Sequence, residues 1–184
     1  MKRRLYTIII SCFTLFFSYS CSSDGDSESV DSIYLDYSSN NDIKADGDSE
    51  EFLRAKLRIN KDVFNDLNEK RIKNISKGDT YSINYVKREG DFIQVNLSYS
   101  GGCKNHDFEV IWDGVVYTDE PCHMNLMLVH DANDDLCEAY ITETIVINLE
   151  ALIGDVDYKD TCSYNIFSTY NSGENADAIV KGMN

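Results

Sequence analysis

The stretch "TYSINYVKREGDFIQVNLSYS", residues 80–100, carries the pattern that decides the fold. Apolar and aromatic side chains alternate with polar ones before and after a turn signal, "REGD" at residues 88–91. Successive side chains of a strand point to opposite faces, so each segment has one apolar face. The residues on these faces are Tyr81, Ile83 and Tyr85 before the turn and Ile93, Val95, Leu97 and Tyr99 after it. The stretch therefore predicts an antiparallel hairpin.

The period of two recurs on both sides of this hairpin. The further strand segments are "FLRAKLRI" (52–59), "DFEVIW" (107–112), "VVYT" (115–118, after a turn at "DG"), "MNLMLVH" (124–130), "CEAYITETIVINL" (137–149) and "CSYNIFSTY" (162–170). Asn60 is placed to cap a short helix, with an irregular connection as the alternative. Seven to eight short strands without alternating long helices predict an all-β fold: a single antiparallel β-sandwich, either Ig-like or a partly open barrel.

The N-terminus has the features of a secretory signal. Residues 2–4 are basic, and the apolar run from Leu5 to Phe17 is 13 residues long, too short for a spanning helix, which needs about 20. The following Ser18-Tyr19-Ser20-Cys21 resembles a bacterial lipobox, although Ser18 stands where an aliphatic residue is usual. This resemblance implies fatty acylation of Cys21 and an anchor in the membrane. A plain signal peptide cleaved near Ser20 is the alternative.

Composition divides the rest of the chain. We expect a signal peptide over 1–20, a lipidated Cys and acidic flexible tether over 21–51, a sandwich domain over 52–172 and a polar tail over 173–184. Within the tether, 10 of residues 22–51 are Asp or Glu, a composition that cannot bury enough apolar surface to fold. "SIYLDY" (32–37) is the exception, because its alternation can add an edge strand to the domain.

The net charge and the acidic tether indicate which classes of partner and which cellular location to expect. The formal net charge is −15 and becomes −18 when the three basic residues of the signal are removed, which disfavours nucleic acid as a partner and leaves basic proteins and neutral glycans. "SSDGDSE" (22–28) resembles signals that carry lipoproteins to the outer face of the outer membrane. We therefore expect an outer-membrane lipoprotein exposed at the cell surface, with a periplasm-facing orientation as the alternative.

Four cysteines remain once Cys12 leaves with the signal and Cys21 is acylated. An even number in an exported domain implies two disulfides, with three connectivities. Cys103 follows one predicted strand and Cys137 precedes another, so both lie at strand ends. This favours Cys103–Cys137 together with Cys122–Cys162 without excluding the other two connectivities.

The residues around Cys103 and Cys137 could instead form a metal site of one of two kinds. Cys103-x2-His106 and His130-x6-Cys137 could hold zinc, although thiolates outside the cytoplasm compete with oxidation. "HDANDDLCE" (130–138) offers oxygen ligands for calcium, with an Asp/Asn-rich turn that bonds its own backbone as the alternative. If the strand ends meet, His106 joins this group, and the candidate ligand or metal site is His106, His130, Asp131, Asn133, Asp135 and Glu138. We assign no catalytic residue, since disulfide bonding would silence Cys103.

Two motifs carry a family resemblance. Their matching residues are Gly101, Gly102, Cys103, His106 and Phe108, then His130, Asn133, Asp135, Cys137, Glu138 and Ala139. This pattern, Gly-Gly-Cys-x-x-His-x-Phe followed by His-x-x-Asn-x-Asp-x-Cys-Glu-Ala, resembles a family of small bacterial lipoproteins without an assigned activity. Cys122 and Cys162 are not fixed features of that pattern, so the resemblance implies pairing of Cys103 with Cys137.

These observations predict a binding or accessory module rather than an enzyme. Its ligand is expected to be a small molecule, a glycan or a partner protein, and no resident cofactor is predicted beyond the calcium or zinc alternatives. The alternative function is that of a metal-dependent or Cys/His enzyme of the envelope, which would use His106, His130 and the acidic turn.

Overall fold

The structure, a computed structural model, describes residues 33–35, 53–75 and 78–183 of the 184-residue chain. Its elements in chain order are β1 (Ile33–Leu35), β2 (Leu53–Arg54), β3 (Lys56–Ile59), α1 (Lys61–Ile72), β4 (Ser82–Glu89), β5 (Phe92–Gly101), β6 (Asp107–Tyr117), β7 (His123–Asp131), β8 (Ala139–Asn148), α2 (Leu149–Ile153), β9 (Ser163–Ser168) and β10 (Ala178–Val180). Sheet A has the strand order β1-β3-β6-β7-β9-β10, and sheet B has the order β2-β8-β5-β4. The all-β, disulfide-stapled sandwich is confirmed, and seven of the described strands have four or more residues.

The core lies between the inner faces of the two sheets. Ile93, Val95 and Leu97 of β5 have no exposed area, and they belong to one buried cluster with Leu126 and Leu128 of β7. β4 pairs with β5 in antiparallel register, which confirms the predicted hairpin. Alternation along β5 therefore sends its apolar side chains inward and leaves its polar side chains on the outer face of sheet B.

A bulge in β4 corrects the predicted face of one tyrosine. Ile83 pairs with Leu97, but Tyr85 pairs with Asn96, because the register shifts between Ile83 and Tyr85. An extra residue in one strand reverses the side-chain alternation beyond it. Tyr85 therefore leaves the core face on which the sequence placed it, and it is 52% exposed on the outer face of sheet B.

Three strand pairs are parallel, so the prediction of a purely antiparallel sandwich is wrong in this respect. The parallel pairs are β2 with β8, β3 with β6, and β7 with β9. The last of them forms because the chain leaves β7 in sheet A, runs through β8 in sheet B, and returns over α2 to β9 in sheet A. Alternation reports which residues are buried, but it carries no information on strand direction.

The "DG" at residues 113–114 is not the turn that the sequence predicts. β6 runs through it from Asp107 to Tyr117, with a register irregularity between Trp112 and Val116. The buried Asp113 carboxylate accepts the Val115 backbone N–H and the Tyr117 hydroxyl, both at 3.0 Å. These bonds satisfy Asp113 inside a strand, so the residue bends the strand without ending it.

Helix α1 covers the outer face of sheet A. Its N-cap is Asn60, whose side chain accepts the Val63 N–H at 2.9 Å, as the sequence predicts. Phe64 packs edge-on against Phe167 of β9 with ring centroids 6.3 Å apart. The side chain of Arg71 is 1% exposed and donates to the Ser168 carbonyl at 3.1 Å and to Asp177 at 3.1 Å.

Both ends of the domain differ from their simplest sequence-based description. β1 pairs with β3, which confirms an edge strand within "SIYLDY". Residues 173–184 are not only a polar tail, because β10 pairs with β9 and Val180 is buried there. The predicted signal peptide, Cys21 and the rest of the tether lie outside the described residues. Among the described helices, none is long and apolar enough to cross a membrane.

Candidate functional site

The Cys103–Cys137 disulfide closes one end of the sandwich. The pairing is the one that the sequence favours, with a Cα–Cα distance of 5.9 Å, and Cys122–Cys162 forms the second bridge. Cys103 and Cys137 come together because β5 and β8 are paired as far as Gly101 opposite Ala139. Gly101 lies two residues before Cys103, and Ala139 lies two residues after Cys137. The bridge thus ties the loop after β5 to the turn before β8.

Asp135 organises the backbone of this closed end. Its carboxylate accepts the N–H groups of Cys103, Lys104 and Cys137, each at 2.9 Å. These backbone donors, the Cys137 N–H first among them, hold the pKa of Asp135 well below its ordinary value. The side chain is only 1% exposed. Asp135 is therefore a buried carboxylate whose oxygens are already occupied by the backbone.

Two buried histidines form a chain of polar contacts that begins at Asp135. His106 Nε2 lies 3.3 Å from Asp135 Oδ2, His106 Nδ1 lies 2.8 Å from His130 Nε2, and His130 Nδ1 lies 3.3 Å from the Asp79 carbonyl oxygen. Burial lowers the pKa of His130 and so favours its neutral ring. A neutral His130 donates Nδ1–H to Asp79 and accepts from His106 Nδ1–H. We call His106, His130, Asp135 and Asp79 the histidine corner.

Aromatic rings seal the histidine corner from solvent. Tyr99 stacks on His106 with centroids 4.4 Å apart, and Phe108 stacks on His130 at 4.5 Å. The His106 side chain is 1% exposed, and His130 is 1% exposed as a whole residue. A substrate cannot reach either ring in this arrangement, so the histidine corner fits a structural role better than an active site.

The zinc alternative lacks its two thiolate ligands in this arrangement. Among the described residues, the group of three potential ligands whose atoms lie within 4.8 Å of one another is Cys103, Asp135 and Cys137. The disulfide removes both thiolates from that group, and the backbone occupies the Asp135 oxygens. His106 and His130 bond to each other instead of converging on a common point with the cysteines.

The acidic turn is built by its own hydrogen bonds. Asp131 Oδ1 accepts the Asn133 N–H at 2.8 Å, and the Asn133 amide donates to the Asn105 carbonyl at 2.8 Å. Asn133 and Asp134 have positive φ angles of 52° and 55°, a conformation that Asn and Asp tolerate in turns. Glu138 is exposed and lies outside this network. The arrangement matches the backbone-bonded turn that was the alternative to a calcium loop.

The outer face of sheet B is a surface that the sequence analysis missed. Its hydrogen-bonded polar side chains lie between two exposed tyrosines, and we call this set the polar face: Asn84, Tyr85, Asn96, Ser98, Tyr140, Thr142 and Thr144. Asn84 Nδ2 donates to Asn96 Oδ1 and to Ser98 Oγ, both at 2.8 Å. Asn96 Nδ2 donates to Thr144 Oγ1 at 2.9 Å, and the Ser98 and Thr142 hydroxyls lie 2.9 Å apart.

The two tyrosines are exposed at opposite ends of the polar face. Tyr140 of β8 is 75% exposed and Tyr85 of β4 is 52% exposed, whereas α1 covers the outer face of sheet A. The sequence does indicate the polar face, through the polar residues that alternate with apolar ones in "QVNLS" of β5 and "YITET" of β8. The apolar half of the same alternation predicts only the core, and the bulge beside Tyr85 is not visible in the sequence.

Comparisons with known proteins assign no family. No protein-family model and no curated protein matches the chain. A toxin-related protein from Parabacteroides distasonis matches at 20% identity and a TM-score of 0.44, covering 71% of this chain and 59% of that one. A NigD-like immunity protein from Bacteroides caccae matches at 17% identity and a TM-score of 0.41, covering 58% of this chain and 50% of that one. The chain spans only half to three fifths of the two proteins, and likenesses this low assign it no ligand, partner or activity.

Proposed function

We propose that the chain is a lipid-anchored binding module of a bacterial cell envelope, and that the polar face is the surface that contacts its ligand. The observation that carries the proposal is the exposure of this face, with Tyr140 at 75% and Tyr85 at 52%. A large aromatic side chain left in water at both ends of an organised polar patch is typical of a recognition surface.

The contrast with the histidine corner supports a binding role over the enzymatic alternative. That corner holds three of the titratable groups that the sequence singled out, His106, His130 and Asp135, but its rings are buried and bonded to each other. A general base must reach the proton that it abstracts, either directly or through one water. The exposed functional groups of the polar face are hydroxyls, amides and phenols, which bind ligands by hydrogen bonds and stacking.

The proposed anchor rests on the N-terminal sequence. The basic segment, the short apolar run and Cys21 are the features that support acylation, and the acidic tether would hold the domain away from the lipid surface. The acidic residues directly after Cys21 favour display on the outer face of the outer membrane.

Blocking the polar face tests the binding proposal even while the ligand is unidentified. Thr142 is exposed in the middle of the face, so Thr142→Arg adds bulk and charge there without burying either. The full-length chain, held in lipid nanodiscs, would be presented with the polysaccharide and protein fractions of the envelope of the producing cell. We expect the wild type to retain material from one fraction and Thr142→Arg to retain at least about tenfold less. Equal retention by both proteins would refute the polar face as the binding surface.

Membrane partition tests the anchor separately. We expect the Cys21→Ala variant to lose its acyl groups, to pass from the detergent phase into the aqueous phase, and to keep the thermal stability of the domain. A Cys21→Ala protein with the mass and partition of wild type would refute lipidation at this residue.

A further inference from the structure

The polar face is laid out for an extended ligand. Tyr140 pairs with Ser100, and Tyr85 pairs with Asn96, which in turn pairs with Thr144. The two tyrosines are therefore separated by two strand spacings across the sheet and by four residues along it. Standard sheet dimensions place their Cα atoms roughly 17 Å apart. A ligand that contacts both rings must span that distance.

The surface between the two rings carries no charge. The outward residues there are Asn84, Asn96, Ser98, Ser100, Thr142 and Thr144. Lys87 and Glu89, farther along β4 toward the hairpin turn, form an ion pair with each other. The uncharged stretch contrasts with the net charge of −15 of the whole chain. It offers no opposite charge to an ionic ligand, so it is matched in charge to an uncharged one.

The polar groups of the face are held in place and retain bonding capacity. Asn96 accepts from Asn84 and donates to Thr144, both within 2.9 Å, so its amide plane is fixed by two partners. An amide has two N–H groups and two oxygen lone pairs, so these two contacts leave half of its hydrogen-bonding capacity unused. Side chains that are already ordered lose little conformational entropy when they bind a ligand.

This combination fits a carbohydrate better than a protein. Protein interfaces have an apolar core with aromatic or arginine anchors near the centre and a polar rim. The polar face has the reverse arrangement, with hydroxyls and amides at its centre and rings at its ends. A sugar chain presents apolar C–H faces that stack on Tyr85 and Tyr140, together with hydroxyls that exchange hydrogen bonds with Asn96 and Thr142.

We propose that the polar face binds a neutral oligosaccharide chain, with Tyr85 and Tyr140 as the two stacking platforms and the Asn and Thr side chains and Ser100 between them as hydrogen-bonding groups. Ser98 is buried, and its hydroxyl holds Asn84 and Thr142 in place. This inference rests on the proposed function of the polar face as the binding surface of the chain, and it adds the chemical class of the ligand.

Affinity electrophoresis of the full-length chain in a neutral detergent tests the inference. Native gels would contain a β-glucan, a mannan, an arabinoxylan or dextran, and polygalacturonate would serve as the anionic contrast. We expect at least one neutral polysaccharide to retard the wild type, and Tyr85→Ala/Tyr140→Ala to bind it at least about tenfold more weakly. Tyr158→Ala is the matched control, because Tyr158 is 47% exposed but lies in the loop between α2 and β9.

The outcomes separate the two proposals. Retardation by none of the neutral polysaccharides, retardation by polygalacturonate alone, or equal retardation of the wild type and the double variant would each overturn the carbohydrate inference. If Thr142→Arg nevertheless abolishes capture of envelope protein, the polar face remains the binding surface and its ligand is a protein. If Thr142→Arg abolishes neither kind of binding, the proposed function fails as well.

Discussion

Replacing Gly101 with Ala would test whether the histidine corner is as closely packed as its distances indicate. A Cβ added at Gly101 would lie 2.5 Å from His106 Nε2 and 2.6 Å from His106 Cε1, where ordinary contacts are 3.4–4 Å. Gly101 does not have the positive φ of Gly90 or Gly102, so its backbone tolerates alanine. The effect of the substitution is therefore steric. It falls mainly on the His106 ring and, through a milder contact at 3.2 Å, on Asp135 Oδ2.

The His106 ring cannot move aside without losing its partners. It is stacked on Tyr99 at 4.4 Å and bonded to His130 at 2.8 Å, and its Nε2 lies 3.3 Å from Asp135. Overpacking of a core costs about 1–3 kcal/mol, and loss of a hydrogen bond such as that between His106 and His130 costs about 0.5–1.5 kcal/mol. We therefore expect Gly101→Ala to lower the free energy of unfolding by about 2–4 kcal/mol.

Urea denaturation, monitored through the fluorescence of Trp112, measures this change. Trp112 is the single tryptophan of the chain, and it is 93% buried. The control is Gly90→Ala, where no atom lies within 4 Å of the added Cβ and φ is +58°; its cost is limited to about 1–2 kcal/mol of backbone strain. In a His106→Ala background the cost of Gly101→Ala should fall below about 1 kcal/mol, because the ring is gone and only the 3.2 Å contact with Asp135 Oδ2 remains. An unchanged cost in that background, or a cost below about 1 kcal/mol in the wild type, would refute the packing argument.

Three further predictions concern stability, each measured by urea denaturation. Arg71→Met should lower the free energy of unfolding by about 3–5 kcal/mol, because it removes the buried guanidinium that donates to the Ser168 carbonyl and to the Asp177 carboxylate. A decrease below about 1 kcal/mol would contradict this. Replacing Cys103 and Cys137 together by Ser should cost about 4 kcal/mol, the chain-entropy estimate for a bridge spanning 34 residues, and an unchanged midpoint would argue against it. Stability should fall on acidification, because the pKa values of His130 and Asp135 are both lowered by folding. The unfolded chain then binds more protons, first below about pH 6.5 at His130 and then below about pH 3.8 at Asp135. A flat profile from pH 7 to pH 4 would contradict the assignment to His130, and a flat profile below pH 4 would contradict the assignment to Asp135.

Local patterns predicted the parts of the fold that depend on local chemistry. The hairpin of β4 and β5 followed from alternation around a glycine turn, and the start of α1 followed from Asn60 as an N-cap. The cysteine pairing that the sequence favoured among three connectivities rested on strand ends that the fold does bring together. In each case the decisive interaction lies within a few residues or at the boundary of an element, where sequence carries the information.

Features that depend on contacts between distant residues could not be read in the same way. The parallel pairing of β7 with β9 depends on where α2 directs the chain, and β10 forms because β9 offers it an edge. The candidate ligand site predicted around His106 and His130 is instead a buried contact between the two rings, because Tyr99 and Phe108 close over them. The candidate site thus moved from the histidines to a surface whose residues are individually ordinary.

Hydrogen–deuterium exchange of the full-length chain, with and without a neutral polysaccharide that retards it, tests most directly whether the polar face is the binding surface. The polar face as binding surface predicts slower exchange in β4, β5 and β8 around Tyr85 and Tyr140, with no change in α1 or in the acidic turn at residues 131–138. Protection confined to that turn and to the loop at residues 103–107, with β4, β5 and β8 unchanged, would contradict the account.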